Sequence, residues 1–142
     1  PQQEKDSLDP EDYWMEAQEA YLDQDYTRSI NALDPLLADS TYAYLPKVYY
    51  TLGVIYLKKA RESGEPSPGE YTRLARENFA QVSPTSIYHQ DADWYTALSY
   101  LLENKRKATL EAMREIAADP GGGRQKEAAK ILELLEEEGQ ND

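Results

Sequence analysis

The chain has no cysteine in its 142 residues. Disulfides, thiolate nucleophiles and cysteine zinc sites are therefore excluded. The lack of cysteine does not fix the compartment, because exported chains also do without it. There is one histidine, so a nucleophile–base triad has a single candidate base, and no Gly-x-Ser-x-Gly elbow presents a serine. Basic residues are in deficit, 15 against 27 acidic ones, for a net charge of −12. Nucleic acid demands a basic footprint and is not expected as a partner. An anionic membrane surface is disfavoured for the same reason. No apolar run approaches the roughly 20 residues of a membrane helix, so direct membrane insertion is not expected. The acidic excess serves solubility first, and it also favours basic partner segments through steering. The chain begins at Pro1 rather than Met, which suggests a processed or truncated product from which a leader or anchor was removed.

Aromatic residues are plentiful but skewed: 12 Tyr and 2 Trp against one Phe. Tyrosine has a large apolar body and a polar tip, which suits helix–helix seams near solvent and also binding grooves.

Apolar spacing along the chain is helical throughout, with no sustained strand alternation. Residues 1–8 are polar and read as a flexible lead-in, and 139–142 as a frayed tail. Asp9-Pro10-Glu11-Asp12 is a helix start, with Asp9 as cap and Pro10 in the first turn. Tyr13, Trp14, Ala17, Ala20 and Tyr21 form the apolar face of that helix. A second amphipathic helix is predicted from Tyr26 to Ala38, bent or shortened by Pro35. A long third helix runs from about Tyr42 to Glu62. The loop Gly64 to Gly69 follows, expected to be mobile, with Ser67, Pro68 and Glu70 arranged as a capping box for the next helix. That helix ends near Val82. A fifth runs from about Ile87 to Glu103 and, after a turn at Asn104-Lys105, a sixth ends near Asp119-Pro120. Gly121-Gly122-Gly123 precedes a last helix, about Arg124 to Glu138.

Six helices in three hairpins suggest an internal repeat. Tyr49-Tyr50-Thr51-Leu52-Gly53-Val54-Ile55-Tyr56 resembles the tetratricopeptide signature W-x2-L-G-x2-Y, with Tyr49 in place of Trp. Ala75, Phe79 and Val82 resemble the second half of the motif. Trp14 with Tyr21, and Trp94 with Ala97 and Tyr100, resemble degenerate copies on either side, although Trp94 to Tyr100 is one residue short and leaves the third register ambiguous. The resemblance implies an all-α fold: a right-handed superhelical array of three hairpins (about 9–38, 42–82 and 87–118) plus a C-terminal capping helix (124–138), one tetratricopeptide-like domain over 9–138. The cap would turn Ala128, Ala129, Ile131, Leu132 and Leu135 inward. The resemblance is to such domains in bacterial exported or membrane-anchored proteins. It implies a periplasmic or otherwise exported soluble portion, with the cytoplasm as the alternative.

The resemblance also implies a function. First helices of such hairpins line a concave groove, and the family's groove positions fall on Asp12, Met15, Glu19, Leu22 and Asp23, then Lys47, Tyr50, Val54, Leu57 and Lys58. In the third hairpin Trp94, Tyr95, Leu98 and Leu101 are the candidates, although Tyr50, Trp94 and Leu101 could instead pack between hairpins. The groove would be acidic at one end and apolar in the middle. Glu16, Glu19 and Asp23 on the first helix argue against the family's carboxylate clamp. The expected function is a non-catalytic scaffold or adaptor that binds a protein or peptide, with no cofactor; a homodimer is compatible with it. The alternative is a sensory domain holding a small molecule or cell-wall fragment on the Tyr-rich face.

Three features carry weaker chemistry. His89, Asp91 and Asp93 cluster at a helix start, where carboxylates also serve the helix dipole, and a metal needs more ligands. Acids spread over solvated helix faces are a simpler account than the paired carboxylates of glycoside cleavage. Gly121-Gly122-Gly123-Arg124 could hold an anion on backbone N–H groups, or serve as a flexible connector.

Overall fold

The computed structural model describes residues 9–64 and 69–140. They form seven α-helices: α1 Pro10–Leu22, α2 Tyr26–Leu33, α3 Leu45–Ser63, α4 Glu70–Ala80, α5 His89–Leu102, α6 Arg106–Ala118 and α7 Gln125–Gln140, with a 3-10 segment Asp34–Ala38 after α2. The described residues include no strand, and none of their helices is long and apolar enough to cross a membrane. The lead-in 1–8, the loop residues 65–68 and the last two positions lie outside the described residues.

Helix ends follow local chemistry, with two departures from expectation. Pro10 sits in the first turn of α1, followed by Glu11 and Asp12, but Asp9 makes no side-chain capping bond. The helix predicted over Tyr26–Ala38, with Pro35 expected to bend or shorten it, stops as an α-helix at Leu33. Pro35 has no N–H for an α-helical bond, and the chain tightens into the 3-10 segment. Of the capping box, Ser67 and Pro68 are outside the described residues. Glu70 is the first residue of α4, with Gly69 at the N-cap.

Two hairpin turns share one geometry. Gln24 and Asn104 each adopt φ 60°. Asp25 N donates to the Ala20 carbonyl and Lys105 N to that of Tyr100, both at 2.9 Å. Aligned on these turns, Trp94 falls at the position of Trp14, Ala97 at that of Ala17, and Leu101, not Tyr100, at that of Tyr21.

Each helix packs on its neighbours in sequence, and α3 also touches α5. Three cores result. The first joins α1, α2 and α3 through Ala17, Ile30, Leu33, Val48, Leu52 and Ile55. The second joins α3, α4 and α5 through Leu57, Ala75, Phe79 and Ala92. The third joins α5, α6 and α7 through Trp94, Ala97, Met113 and Ala128. Helices α3 and α5 thus bury two faces each. On α7, Ala128 and Leu135 are buried and Ile131 and Leu132 half-buried, but Ala129, expected inside, is exposed.

The second core turns on Gly53. A Cβ built there would overlap the Phe79 ring, so the glycine is what lets that ring reach the α3 backbone. Between α4 and α5 a polar contact adds to this core. Arg76 donates to Glu103 at 3.0 Å and to Ser99 Oγ at 3.0 Å, and its guanidinium lies 4.6 Å from the Tyr100 ring centroid. Lys105 adds a 3.0 Å ion pair to Glu103, and Thr72 Oγ1 a hydrogen bond. Burial alone would push the Glu103 carboxyl up, but the donors Thr72, Lys105 and Arg76 together hold it below the usual carboxylate range.

Two outcomes are expected. Gly53→Ala should destabilise by about 2 kcal/mol in urea unfolding, since overpacking outweighs the roughly 1 kcal/mol gain in helix propensity. Adding Phe79→Leu should recover part of that loss, and strictly additive effects would show that the two residues do not meet. Glu103→Gln should cost about 3 kcal/mol at pH 7. Because the folded carboxyl is depressed, its contribution is complete above the unfolded value of about 4.3 and is lost as pH falls through the folded value. Stability of the variant should therefore depend less on pH below about 4.3 than that of the wild type, which denaturation at a series of pH values measures.

Candidate functional site

Residues at helical spacing on two helices open a cleft of about 390 Å3. Helix α1 contributes Trp14 and Tyr21, seven residues and thus two turns apart. Helix α3 contributes Lys47, Tyr50, Thr51 and Val54. Trp14 Nε1 donates to Tyr42 Oη at 3.0 Å, which fixes the indole as a wall. Lys47 Nζ lies 4.7 Å from the Trp14 ring centroid and Lys58 Nζ 5.9 Å from that of Tyr21. The pairs keep the same order along both helices, so α1 and α3 run in the same direction.

The acidic residues of α1 turn elsewhere. Arg28 on α2 pairs with Glu16 at 2.6 Å and reaches Glu19 and Asp23 at 3.8 Å each. The hydrogen bond from Arg28 holds the Glu16 carboxyl below its usual range.

The predicted groove residues divide. Lys47, Tyr50 and Val54 come together in the cleft, with Lys58 beyond its far end. Met15 and Leu22 are 67% and 75% exposed on α1, and Asp12, Glu19 and Asp23 are exposed beside them. Leu57 and Trp94 are buried in the second and third cores, at 7% exposure each. Leu98 is half-buried against the third core, and Leu101 is exposed. Tyr95 joins a cluster in which Tyr50 stacks on Tyr88 at 5.3 Å and meets Phe79 and Tyr95 at 6.2 Å each. Burial, with Tyr95 and Asp91 nearby, pushes the Tyr50 hydroxyl up to about 12, so it stays protonated at neutral pH. Trp14 and Tyr21, expected as seam residues, are cleft walls as well. Their i, i+7 spacing was the available signal.

A second cleft, of about 420 Å3, lies between α5 and α6, walled by Asp93, Tyr100, Glu115, Ile116 and Arg124. Burial pushes the Asp93 carboxyl up, against the opposing pull of His89, and Glu115 and Asp119 add to the rise. The acidic cluster read at His89 is divided: His89 Nε2 lies 3.2 Å from Asp93, while Asp91 accepts from Arg124 at 3.1 Å. Among the described residues no group of three or more His, Cys, Asp or Glu side chains is placed to hold a metal ion. The glycine connector is pinned. Gly121 N and Gly122 N donate to Asp119, Gly123 N donates to Gln90 Oε1, and Gln90 Nε2 donates to the Gly121 carbonyl. The three glycine N–H groups are thus engaged.

No family model, curated protein or solved structure matches this chain.

The two indoles should report different surroundings. In Trp94→Phe the remaining Trp14 should be quenched more strongly by acrylamide than the buried Trp94 that remains in Trp14→Phe. Equal quenching would mean that Trp14 does not face an open cleft.

Proposed function

We propose that this chain is a non-catalytic interaction module of tetratricopeptide type, with its hairpins in a right-handed superhelical array, and that it holds a polypeptide segment in the cleft between α1 and α3. The observation that carries the proposal is the cleft itself: an apolar and aromatic trough between the first helices of two successive hairpins, with walls set by Trp14 and Tyr50. Trp14 is held by Tyr42, and Tyr50 by its aromatic neighbours, so little ordering remains to oppose binding. Support for the repeat comes from the close approach of Phe79 to Gly53 and from the matching turns at Gln24 and Asn104. A scaffold or adaptor in an envelope-associated assembly fits this reading. The Tyr50, Tyr88 and Tyr95 cluster supports the second reading, a small molecule or cell-wall fragment held against tyrosine faces. Tyr50 and Tyr95 are half-buried against Phe79, however, which leaves them less face to offer.

Site-specific crosslinking separates the two. A photoreactive residue in place of exposed Gln18, at the cleft edge, should give discrete polypeptide adducts in extract of the source cells. The same residue at Lys126 on α7 should not. A Thr51→Arg substitution should fill the cleft and suppress the Gln18 adducts while leaving the circular dichroism melt unchanged. Adducts indifferent to Thr51→Arg, or none from Gln18, would overturn the proposal.

A further inference from the structure

The cleft between α1 and α3 differs in charge from the chain around it. With a net charge of −12, basic partners are the obvious expectation. Yet the described residues lining the cleft include no carboxylate. Glu16, Glu19 and Asp23, on and just after α1, converge on Arg28. The cations at the cleft, Lys47 and Lys58, rest over aromatic rings, and among the described residues no carboxylate lies within ion-pair distance of either. An ammonium over a ring face keeps its N–H donors available on the other side.

Geometry limits what can lie there. Lys47 and Lys58 are eleven residues apart on α3, about 16 Å along the axis and on nearly the same face. The rings that they cover, seven residues apart on α1, are separated by about 10 Å. Midway between those distances is a separation of about 13 Å for the two charged heads. In an extended chain, residues i and i+4 point the same way and lie about 13 Å apart, with i+2 on the same face between them.

We propose that the docked segment is extended and acidic, with carboxylates at i and i+4 and an apolar side chain at i+2, a pattern of the type Glu-x-Leu-x-Glu. This rests on the cleft being the docking site proposed above, and adds the sign and spacing of the partner's charges. The apolar side chain seats among Trp14, Tyr50 and Val54, and the two carboxylates meet Lys47 and Lys58.

Fluorescence anisotropy on the full chain tests it with three short labelled peptides: Glu-x-Leu-x-Glu, its Gln-x-Leu-x-Gln counterpart and a Lys-x-Leu-x-Lys version. The acidic peptide should bind about tenfold more tightly than the neutral one. Its advantage should fade as NaCl rises from about 50 mM to about 500 mM. The double variant Lys47→Gln/Lys58→Gln should bind the acidic and neutral peptides alike and keep the wild-type affinity for the neutral one, a readout that misfolding would not give. Neutral and acidic peptides binding wild type equally, or the basic peptide binding best, overturns the charge inference and leaves the docking site standing. No peptide binding, together with cleft-dependent polypeptide adducts at Gln18, overturns the extended acidic segment alone. No peptide binding and no such adducts overturn both proposals.

Discussion

Phe79 can reach the backbone of α3 because Gly53 has no side chain, and the middle of the molecule is arranged around that contact. The ring is the chain's only phenylalanine and is 3% exposed. Bringing α4 so close to α3 lets Ala75 and Leu57 fill the same core, and sets Tyr50 and Tyr95 against the ring. Tyr50 is also a wall of the cleft, so its position there follows from packing one layer below. A glycine in mid-helix sacrifices about 1 kcal/mol of propensity, and the seated aromatic ring, which buries a large apolar area, more than offsets it.

Electrostatics in this protein are local. The global excess of acid sets solubility, but the carboxylates nearest the hairpin seams are gathered by individual arginines. Arg28 gathers Glu16, Glu19 and Asp23, Arg76 holds Glu103, and Arg124 takes Asp91 and Glu127. The planar guanidinium suits such multidentate pairing better than an ammonium does. Two of these pairs cross between hairpins, Arg76–Glu103 tying α4 to the end of α5 and Arg124–Asp91 tying the start of α7 to α5, while Arg28 joins α2 to α1 within the first hairpin. Lys47, Lys58 and Lys59 lie along aromatic faces instead. The sign of charge at the cleft is therefore decided by how the acids are paired elsewhere.

Much of the fold was legible from residues in order. The 3.6-residue period, the breaks at Pro35, Gly64 and Asn104, and the Tyr49–Tyr56 segment marked the helices to within a few residues, because these signals act over one or two turns of chain. The candidate site was legible only in part. Lys47, Tyr50 and Val54 were found because they repeat on one face of one helix. Their opposite wall, Trp14 and Tyr21, looked like seam. Leu57 and Trp94 looked like groove and are core.

The sequence by itself determined that the chain is helical, where most helices begin and end, and which side chains share a face, since periodicity and backbone chemistry are properties of a single segment. Tertiary structure alone decided which neighbour covers each face. Helices α3 and α5 each bury two faces, and no count along one helix says which partner takes which. The same holds for the register of the third hairpin, aligned on the matched turns at Gln24 and Asn104, and for Ala129, which faces solvent although it lies in an apolar run. It holds also for the cleft's charge, because pairing Glu16, Glu19 and Asp23 with Arg28 requires the chain to turn back at Gln24 and bring α2 against α1.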